Sequence, residues 1–207
     1  DYRVAPEHPY PAALEDTIAA YHWLLEQGYP AEKIVVAGDS AGGGLVLALC
    51  LWLKNHKEPL PSGVIAMSPW TDLTISGESV ETNFEKDPLF GKTRDSMLYN
   101  KDYLGENDPT NEYISPLFGD YEGFPPLLIQ VGSYEMLLSD STRVAKKAKE
   151  AGGKVKLSIY EGMFHVFQMA MLLMPESKKA WAEIKRFLHY LDTEENEMQN
   201  ISKEEKA

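Results

Sequence analysis

Ser40 has surroundings in the sequence that would turn its hydroxyl into a nucleophile. It lies within Gly38-Asp39-Ser40-Ala41-Gly42, between an apolar run (Ile34 to Ala37) and a helix-forming run (Gly43 to Lys54). A G-x-S-x-G motif at a strand–turn–helix junction holds its serine in a strained conformation with the hydroxyl clear of the backbone. We attribute both flanking glycines to the close approach of strand and helix, which leaves no room for a Cβ.

A serine hydroxyl is a poor nucleophile until an imidazole takes its proton, and the imidazole needs a carboxylate on its other nitrogen. His165 is the one histidine of five in a loop that follows a predicted strand, so we assign it as the base. Glu135 and Asp140 both follow another predicted strand. We favour Glu135 as the acid, because Asp140 lies at a helix start, where a carboxylate commonly serves as a cap. The backbone N–H of Ala41 is the expected oxyanion-hole donor.

Four large side chains near these positions are candidates for the wall of an acyl or alcohol pocket. Each of them fits an ordinary hydrophobic core equally well, so this assignment stays open between the two. They are Trp70, Tyr134, Met163 and Phe164.

The elements that must position these groups alternate between strand and helix along the chain. Four alternations predict a parallel sheet with right-handed crossovers and helices on both faces, an α/β fold. In such sheets reactive groups collect at the carboxyl ends of the strands. The predicted strands are Lys33–Ala37, Gly63–Ser68, Leu127–Val131 and Val155–Tyr160; the predicted helices are Ala12–Gln27, Gly42–Asn55, Ser139–Ala151 and Pro175–Leu191.

The remaining segments predict the domain organisation. Residues 1–11 contain three prolines and read as an extended loop. Residues 71–124 lack strand periodicity but carry many apolar anchors, which favours a cap insertion over a disordered linker. We therefore expect one α/β domain over residues 1–191, with the cap at about 71–124, and a charged, solvated tail over 192–207.

Composition narrows the functional classes. The formal net charge of −12, with no Lys/Arg cluster, argues against nucleic acid or an anionic membrane surface as partner. The single cysteine, Cys50, excludes an intramolecular disulfide and favours the cytoplasm. The apolar run Leu45–Leu53 is too short to span a bilayer. Gly91-Lys92-Thr93 lacks the rest of a phosphate loop, and no His/Cys cluster indicates zinc, so no cofactor or metal is expected.

With these residues in hand, the chain resembles the hormone-sensitive-lipase-like family of α/β-hydrolases, which contains many microbial carboxylesterases and lipases. The resemblance runs from residue 1 to about 191 and rests on three segments. These are Asp1–Glu7 with the following Pro11, Ala12 and Asp16, then Gly38–Gly43, and then Ser68–Leu73.

The resemblance implies roles for the same three side chains, in the chain order serine, acid, histidine. Ser40 matches the family's nucleophile and His165 its base. The family's acid is usually the Asp of an Asp-Pro-Leu segment, whereas the aligned stretch here reads Glu135-Met136-Leu137. The resemblance therefore carries the role to Glu135, the longer carboxylate.

The predicted function is that of a serine carboxylesterase, which hydrolyses short- to medium-chain carboxylic esters through an acyl-enzyme intermediate. Its expected partner is a small-molecule ester. Lactone or amide hydrolysis stays open, because the sequence does not fix the leaving group. An alternative of another class is a receptor-like small-molecule-binding protein on the same fold, and the presence of His165 favours the enzyme.

The family also has a His-Gly-Gly-Gly loop that supplies further oxyanion-hole N–H groups, and the loop does not occur in these 207 residues. We therefore expect the chain to be the C-terminal two-thirds of a longer esterase, with poor activity of its own. Strand Lys33–Ala37 would then be an unpaired edge, which predicts a homo-oligomer or edge-strand self-association.

Overall fold

Four parallel strands form the sheet in this computed structural model, which describes the backbone of residues 2–91 and 101–204 and the side chains of these residues up to 193. The strands lie in the order β1-β2-β3-β4. β1 lies two residues later than predicted, because Ala31–Lys33 forms a 3₁₀ turn. The strands are β1 (Val35–Asp39), β2 (Gly63–Met67), β3 (Leu127–Gly132) and β4 (Val155–Tyr160).

Helices follow the strands as the alternation predicted. The helices between and around the strands are α1 (Ala12–Glu26), α2 (Ala41–Asn55) and α5 (Leu138–Glu150). The predicted insertion contains two one-turn helices, α3 (Ser79–Thr82) and α4 (Lys101–Leu104), and a 3₁₀ turn (Pro116–Phe118). Residues 92–100 of this segment lie outside the described residues.

The last helix, α6 (Pro175–Glu204), is longer than predicted. The sequence places its end at Leu191 and a solvated tail beyond it, whereas the structure continues the helix through most of that tail. Residues 192–204 contain neither glycine nor proline and are rich in Glu and other good helix formers, so nothing in them stops the helix.

The core lies between one face of the sheet and helices α2 and α5. Val64 and Leu127 of the central strands pack there against Leu47 of α2 and Val144 of α5, all fully buried. Leu128, which points to the opposite face, is buried as well. Central strands covered on both faces are typical of parallel sheets, and they hold the strand ends rigidly in place.

The register brings the carboxyl ends of the strands to one edge of the sheet. Asp39 of β1 pairs with Met67 of β2, Met67 pairs with Gln130 of β3, and Gly132 pairs with Tyr160 of β4. The first residue after each strand is therefore brought to this edge. Among the described residues β1 pairs only with β2, so it is an edge strand, and self-association through that edge stays a prediction.

By its contacts the chain divides into two units, Asp1–Phe167 and Gln168–Ala207. The first unit contains the sheet and every residue of the predicted site. In the second, the Ser177 hydroxyl and the Trp181 indole N–H donate to the carbonyl of Gln168, at 2.8 and 3.0 Å. Within the described part of the chain, no helix combines the length and apolar character needed to cross a membrane.

Candidate active site

Ser40 is the single residue between the end of β1 and the start of α2. Its backbone adopts φ 53° and ψ −121°, a conformation that costs a non-glycine residue roughly 1–3 kcal/mol. The surrounding backbone holds it there. The Ser40 N–H donates to the carbonyl of Met67 at 2.9 Å, and the Ser40 carbonyl accepts from the N–H groups of Gly44 and Trp70. The turn thus has the shape of a nucleophile elbow.

The glycines around the elbow play different parts. A Cβ at Gly38 would lie 2.2 Å from the carbonyl oxygen of Gly42, so only glycine fits there. A Cβ at Gly42 would meet nothing within 4 Å, so the predicted collision at that position is wrong. Two further steric requirements follow it: a Cβ at Gly43 would lie 2.9 Å from Cα of Pro69, and a Cβ at Gly44 would come within 2.2 Å of the Trp70 carbonyl oxygen. Helix α2 therefore approaches the segment after β2 most closely two residues further along than the motif indicates.

The three predicted side chains come together at the carboxyl edge of the sheet. Nε2 of His165 lies 2.8 Å from Oγ of Ser40, and Nδ1 of His165 lies 2.9 Å from Oε2 of Glu135. His165 is 5% exposed and Glu135 is fully buried, so their interaction is shielded from water. The arrangement can pass a proton from a hydroxyl to an imidazole while a carboxylate holds the ring.

Ala41 is the first residue of α2, and it follows Ser40 directly. The N–H groups in the first turn of a helix have no partner in the helix's own hydrogen-bond ladder. The helix dipole adds a partial positive charge at the same place. Ala41 can therefore donate to an oxyanion that forms on a carbonyl attacked by Ser40.

Asp140, the other candidate for the acid, faces a different element. Its Oδ2 accepts the backbone N–H groups of Thr71 and Asp72, at 2.7 and 2.9 Å. Burial raises the pKa of Asp140 to about 7, and the nearby charge of Asp72 adds to that. Asp140 thus fixes the start of the insertion against α5, and the geometry favours Glu135 for the acid.

The carboxylate of Glu135 is held by both of its oxygens. While Oε2 faces His165, Oε1 accepts the N–H of Gly132 at 2.5 Å and the hydroxyl of Ser68 at 2.7 Å. Sequence reasoning missed Ser68 as a site residue. Its signal was available, because Ser68 directly follows β2 as Ser40 directly follows β1.

The segment between β2 and β3 holds the backbone of the loop that carries Glu135. The Asn83 side-chain amide donates to the carbonyls of Ser133 and Glu135, at 3.0 and 2.9 Å. Oδ2 of Asp87 accepts the N–H of Met136 at 2.9 Å. Asn83 and Asp87 are both buried, so the acid loop depends on residues from outside the sheet for its position.

Asp87 also positions an aromatic ring against the histidine. Its Oδ1 accepts the backbone N–H of Phe90 at 3.0 Å. The ring of Phe90 meets that of His165 edge-on, with centroids 4.5 Å apart and planes at 65°. This contact restricts the tilt of the imidazole and covers it with an apolar surface.

A cavity of about 590 Å³ opens beside Ser40. Its volume is within the range of small-molecule sites in proteins. Ser40, Ala41 and the predicted Trp70 line it, together with a mainly aromatic and aliphatic wall. The larger side chains of that wall are Tyr2, Leu45, Phe90, Tyr103, Tyr113 and Ile114.

Tyr134, Met163 and Phe164 do not line this cavity, although the sequence placed them near the reacting groups. Tyr134 is 41% exposed, and its backbone N–H donates to the Met163 carbonyl at 3.1 Å. A Cβ at Gly132 would lie only 2.2 Å from the same carbonyl oxygen, so only glycine fits there. The backbone of Tyr134 and Met163 therefore joins the acid loop to the histidine loop, and no contact of their side chains with the cavity supports the pocket assignment.

The first residues of the chain form another part of the cavity wall. Arg3 donates from Nη2 and Nε to Oδ1 of Asp16, at 2.8 and 3.0 Å, and this ion pair joins the segment to α1. The hydrogen bonds from Arg3 lower the pKa of Asp16. The contact joins two of the residues on which the resemblance rests.

A second concavity, of about 670 Å³, lies along β1 and shares Ser40 and Ala41 with the first. Ala37, Gly38 and Asp39 of β1 form one side of it.

In the part of the chain that the structure describes, no three His, Cys, Asp or Glu residues are grouped so that they could hold a metal ion.

The fold and this geometry define an α/β-hydrolase, and comparison with known proteins agrees. Residues 1–169 match the sequence pattern of a family described as having the alpha/beta hydrolase fold, and the chain belongs to that family. The resemblance to its hormone-sensitive-lipase-like members is confirmed. A solved structure of an esterase from the bacterial hormone-sensitive lipase family is 45% identical, with a TM-score of 0.88, and the match covers 92% of this chain and 64% of that one.

Two curated relatives are similar over most of the chain. An esterase of Acinetobacter venetianus is 45% identical over 193 residues, which are 93% of this chain and 63% of the relative. An acetyl-hydrolase of Streptomyces hygroscopicus is 42% identical over 179 residues, 86% of this chain and 60% of the relative. The chain therefore spans less than two thirds of the length of these relatives.

Proposed function

We propose that this chain carries the nucleophile, base and acid of a carboxylesterase that hydrolyses short- to medium-chain esters through an acyl-enzyme. The main support is the continuous contact from Glu135 through His165 to Ser40, which ends at the wall of a largely apolar cavity. The names of the relatives, esterase and acetyl-hydrolase, point to the same chemistry.

In the acylation step, Oγ of Ser40 attacks the ester carbonyl carbon while Nε2 of His165 takes the hydroxyl proton. Glu135 accepts the Nδ1–H of His165, which keeps Nε2 free to act as base and stabilises the imidazolium that forms. The N–H of Ala41 donates to the developing oxyanion. The tetrahedral intermediate then collapses, the imidazolium gives its proton to the leaving alkoxide, and the acyl group stays on Ser40.

In the deacylation step, a water molecule takes the place of the departed alcohol. His165 accepts a proton from this water while the oxygen of the water attacks the acyl carbon. Collapse of the second intermediate returns that proton to Oγ of Ser40 and releases the carboxylic acid. The two steps consume one ester and one water, and they regenerate the site without any other reactant.

The cavity supports short and medium acyl chains. Each methylene that it buries contributes about 0.8 kcal/mol, until the chain outgrows the roughly 600 Å³ available. We therefore expect kcat/KM for p-nitrophenyl esters to rise from acetate towards a maximum at medium length. It should then fall for palmitate.

Covalent labelling with a fluorophosphonate tests the nucleophile. In the complete natural protein we expect one adduct, located on Ser40 by peptide mass spectrometry, and none in Ser40→Ala. His165→Ala should label at least 100-fold more slowly, because the hydroxyl loses its base. Ser62→Ala serves as the control, since Ser62 donates to the Ile34 carbonyl at the opposite end of the sheet.

A folded protein that forms no adduct on Ser40 would contradict the proposal. If it also bound a p-nitrophenyl ester without releasing p-nitrophenol, the receptor-like alternative would account for the fold.

A further inference from the structure

We propose that Ser68 is a positioning residue, which fixes the position of the acid, Glu135, relative to the base, His165. The inference rests on the proposed function, because it concerns the same Glu135 and His165. It adds a fourth side chain whose hydroxyl contacts no substrate and acts only through its neighbours.

Ser68 occupies the centre of the carboxyl edge of the sheet. It directly follows β2, which lies between β1, whose end carries Ser40, and β3, whose end leads to Glu135. Its side chain is fully buried, and its N–H donates to the Gln130 carbonyl of β3 at 2.7 Å. The residue is thereby fixed to the two middle strands, the most rigid part of the sheet.

The hydroxyl of Ser68 joins the acid to the histidine loop. Oγ donates to Oε1 of Glu135 at 2.7 Å and accepts the backbone N–H of Val166 at 3.1 Å. The direction of both bonds is settled by chemistry, because the N–H of Val166 can only donate and the carboxylate accepts. One hydroxyl therefore fixes the distance between the acid and the residue that follows His165.

A glutamate needs this contact more than an aspartate would. Its side chain has one more rotatable bond, and fixing such a side chain costs conformational entropy. Gly132 and Ser68 both donate to Oε1, which sets the plane of the carboxylate and leaves Oε2 directed at Nδ1 of His165. Without the hydroxyl, the N–H of Gly132 alone would restrain Oε1.

The backbone of Ser68 points to a use for the hydroxyl. Its φ of 47° lies in the left-handed region, which costs a residue with a Cβ roughly 1 kcal/mol and costs glycine nothing. A residue chosen only for the turn would be glycine. A serine at this position is explained when its side chain does something that glycine cannot.

The test compares Ser68→Gly and Ser68→Ala in the complete natural protein. Glycine removes the hydroxyl and also relieves the backbone strain, so it separates positioning from folding. Lys57→Gly is the matched control, because Lys57 has φ 57° and is exposed at the end of α2. For both Ser68 variants we expect kcat for p-nitrophenyl butyrate to fall about 10- to 100-fold with KM within twofold, as expected for an interaction that acts on the reacting groups.

A further readout would not respond to a merely structural role. With one donor fewer, Glu135 presents more of its charge to the imidazole, so the low-field proton NMR signal of the His165–Glu135 hydrogen bond should shift. It can be measured without any turnover.

The outcomes separate this inference from the proposed function when Ser40→Ala is assayed alongside. Wild-type kcat and NMR signal in a folded Ser68→Gly, with Ser40→Ala inactive, would overturn the role of Ser68 alone. Equal hydrolysis by the wild type and Ser40→Ala would overturn both. If Ser68→Ala fails to fold, Ser68→Gly and its NMR signal still decide the question.

Discussion

Glu135 and Asp140 are two carboxyl groups that follow the same strand, five residues apart, and they have opposite surroundings. Burial does not distinguish them, because Glu135 is 0% and Asp140 2% exposed. Glu135 lies in the loop after β3 and faces His165, whereas Asp140 lies in the first turn of α5 and faces Thr71 and Asp72. The role of each carboxyl group therefore depends on the element that it faces. It does not depend on how many residues separate the group from the end of the strand.

The surroundings of Asp140 favour its protonated form. Asp140 meets only neutral donors, and Asp72 nearby carries a negative charge. Burial opposes ionisation of Asp72 as well, yet hydrogen bonds from Ser76, Thr74 and Arg143 lower its pKa. The charge in this region therefore resides on Asp72, paired with Arg143 at 2.8 Å, and Asp140 beside it is the group whose pKa rises.

The largest expected effect is a loss of activity when the carboxylate of Glu135 is replaced. We expect Glu135→Gln to lower kcat for a p-nitrophenyl ester roughly 10³- to 10⁴-fold, since the amide no longer stabilises the imidazolium or fixes its tautomer. Asp140→Asn is the matched control and should keep kcat within about threefold of wild type. Steady-state kinetics at saturating ester measures both.

The reverse pattern, with Asp140→Asn inactive and Glu135→Gln active, would assign the acid to Asp140. Circular dichroism of each variant would show whether a loss of activity follows from a loss of fold.

A smaller effect is expected on stability when Asp140 is removed altogether. Asp140→Ala leaves the buried N–H groups of Thr71 and Asp72 without their acceptor, which costs roughly 2–4 kcal/mol in unfolding free energy. Urea unfolding of both proteins at one fixed pH, about 5, measures the loss. An unchanged urea midpoint would show that this contact contributes nothing to the fold.

The smallest effect is a pH dependence that Asp140 alone should produce. Its pKa is raised from 3.8 to about 7, so the folded chain holds this proton more tightly than the unfolded chain. The resulting stability is fully present below about pH 4 and is lost as the pH rises through 7. Each pH unit in that window removes about 1.4 kcal/mol.

We therefore expect the unfolding free energy of the wild type, relative to Asp140→Asn, to fall by about 2 kcal/mol between about pH 5 and about pH 6.5. Subtracting the variant removes the contributions of all other titrating groups. A difference that stayed constant over this range would contradict the raised pKa.

The sequence predicted the parts of the molecule that local pattern controls. Ser40 could be found because its glycines, the apolar run before it and the helix-forming run after it all lie within about twenty residues. His165 could be found because it follows a strand. The sequence favoured Glu135 over Asp140 as the acid but could not exclude Asp140. The elements that the two side chains face, the histidine loop and the segment after β2, lie far from them in the chain.

The parts that the sequence missed depend on contacts between distant segments. The position of Ser68 directly after β2 marks it as a candidate, but its partners Glu135 and Val166 lie far from it in the chain. Three aromatic residues of the cavity wall, Tyr2, Tyr103 and Tyr113, lie far in the chain from Ser40. At Gly42 the motif indicated crowding, whereas the tight contact to the segment after β2 occurs at Gly44.

The hydrogen bonds from Asn83 and to Asp87 that position the loop carrying Glu135 limit how this chain can be re-engineered. Residues 79–91 supply Phe90 to the cavity, so they are an obvious segment to exchange for that of a relative when the cavity is to be reshaped. A graft of that kind would also remove the supports of the loop that carries Glu135. If the proposed function holds, selectivity and turnover are linked in this segment. A chimaera must then keep both of these side chains to change one property without the other.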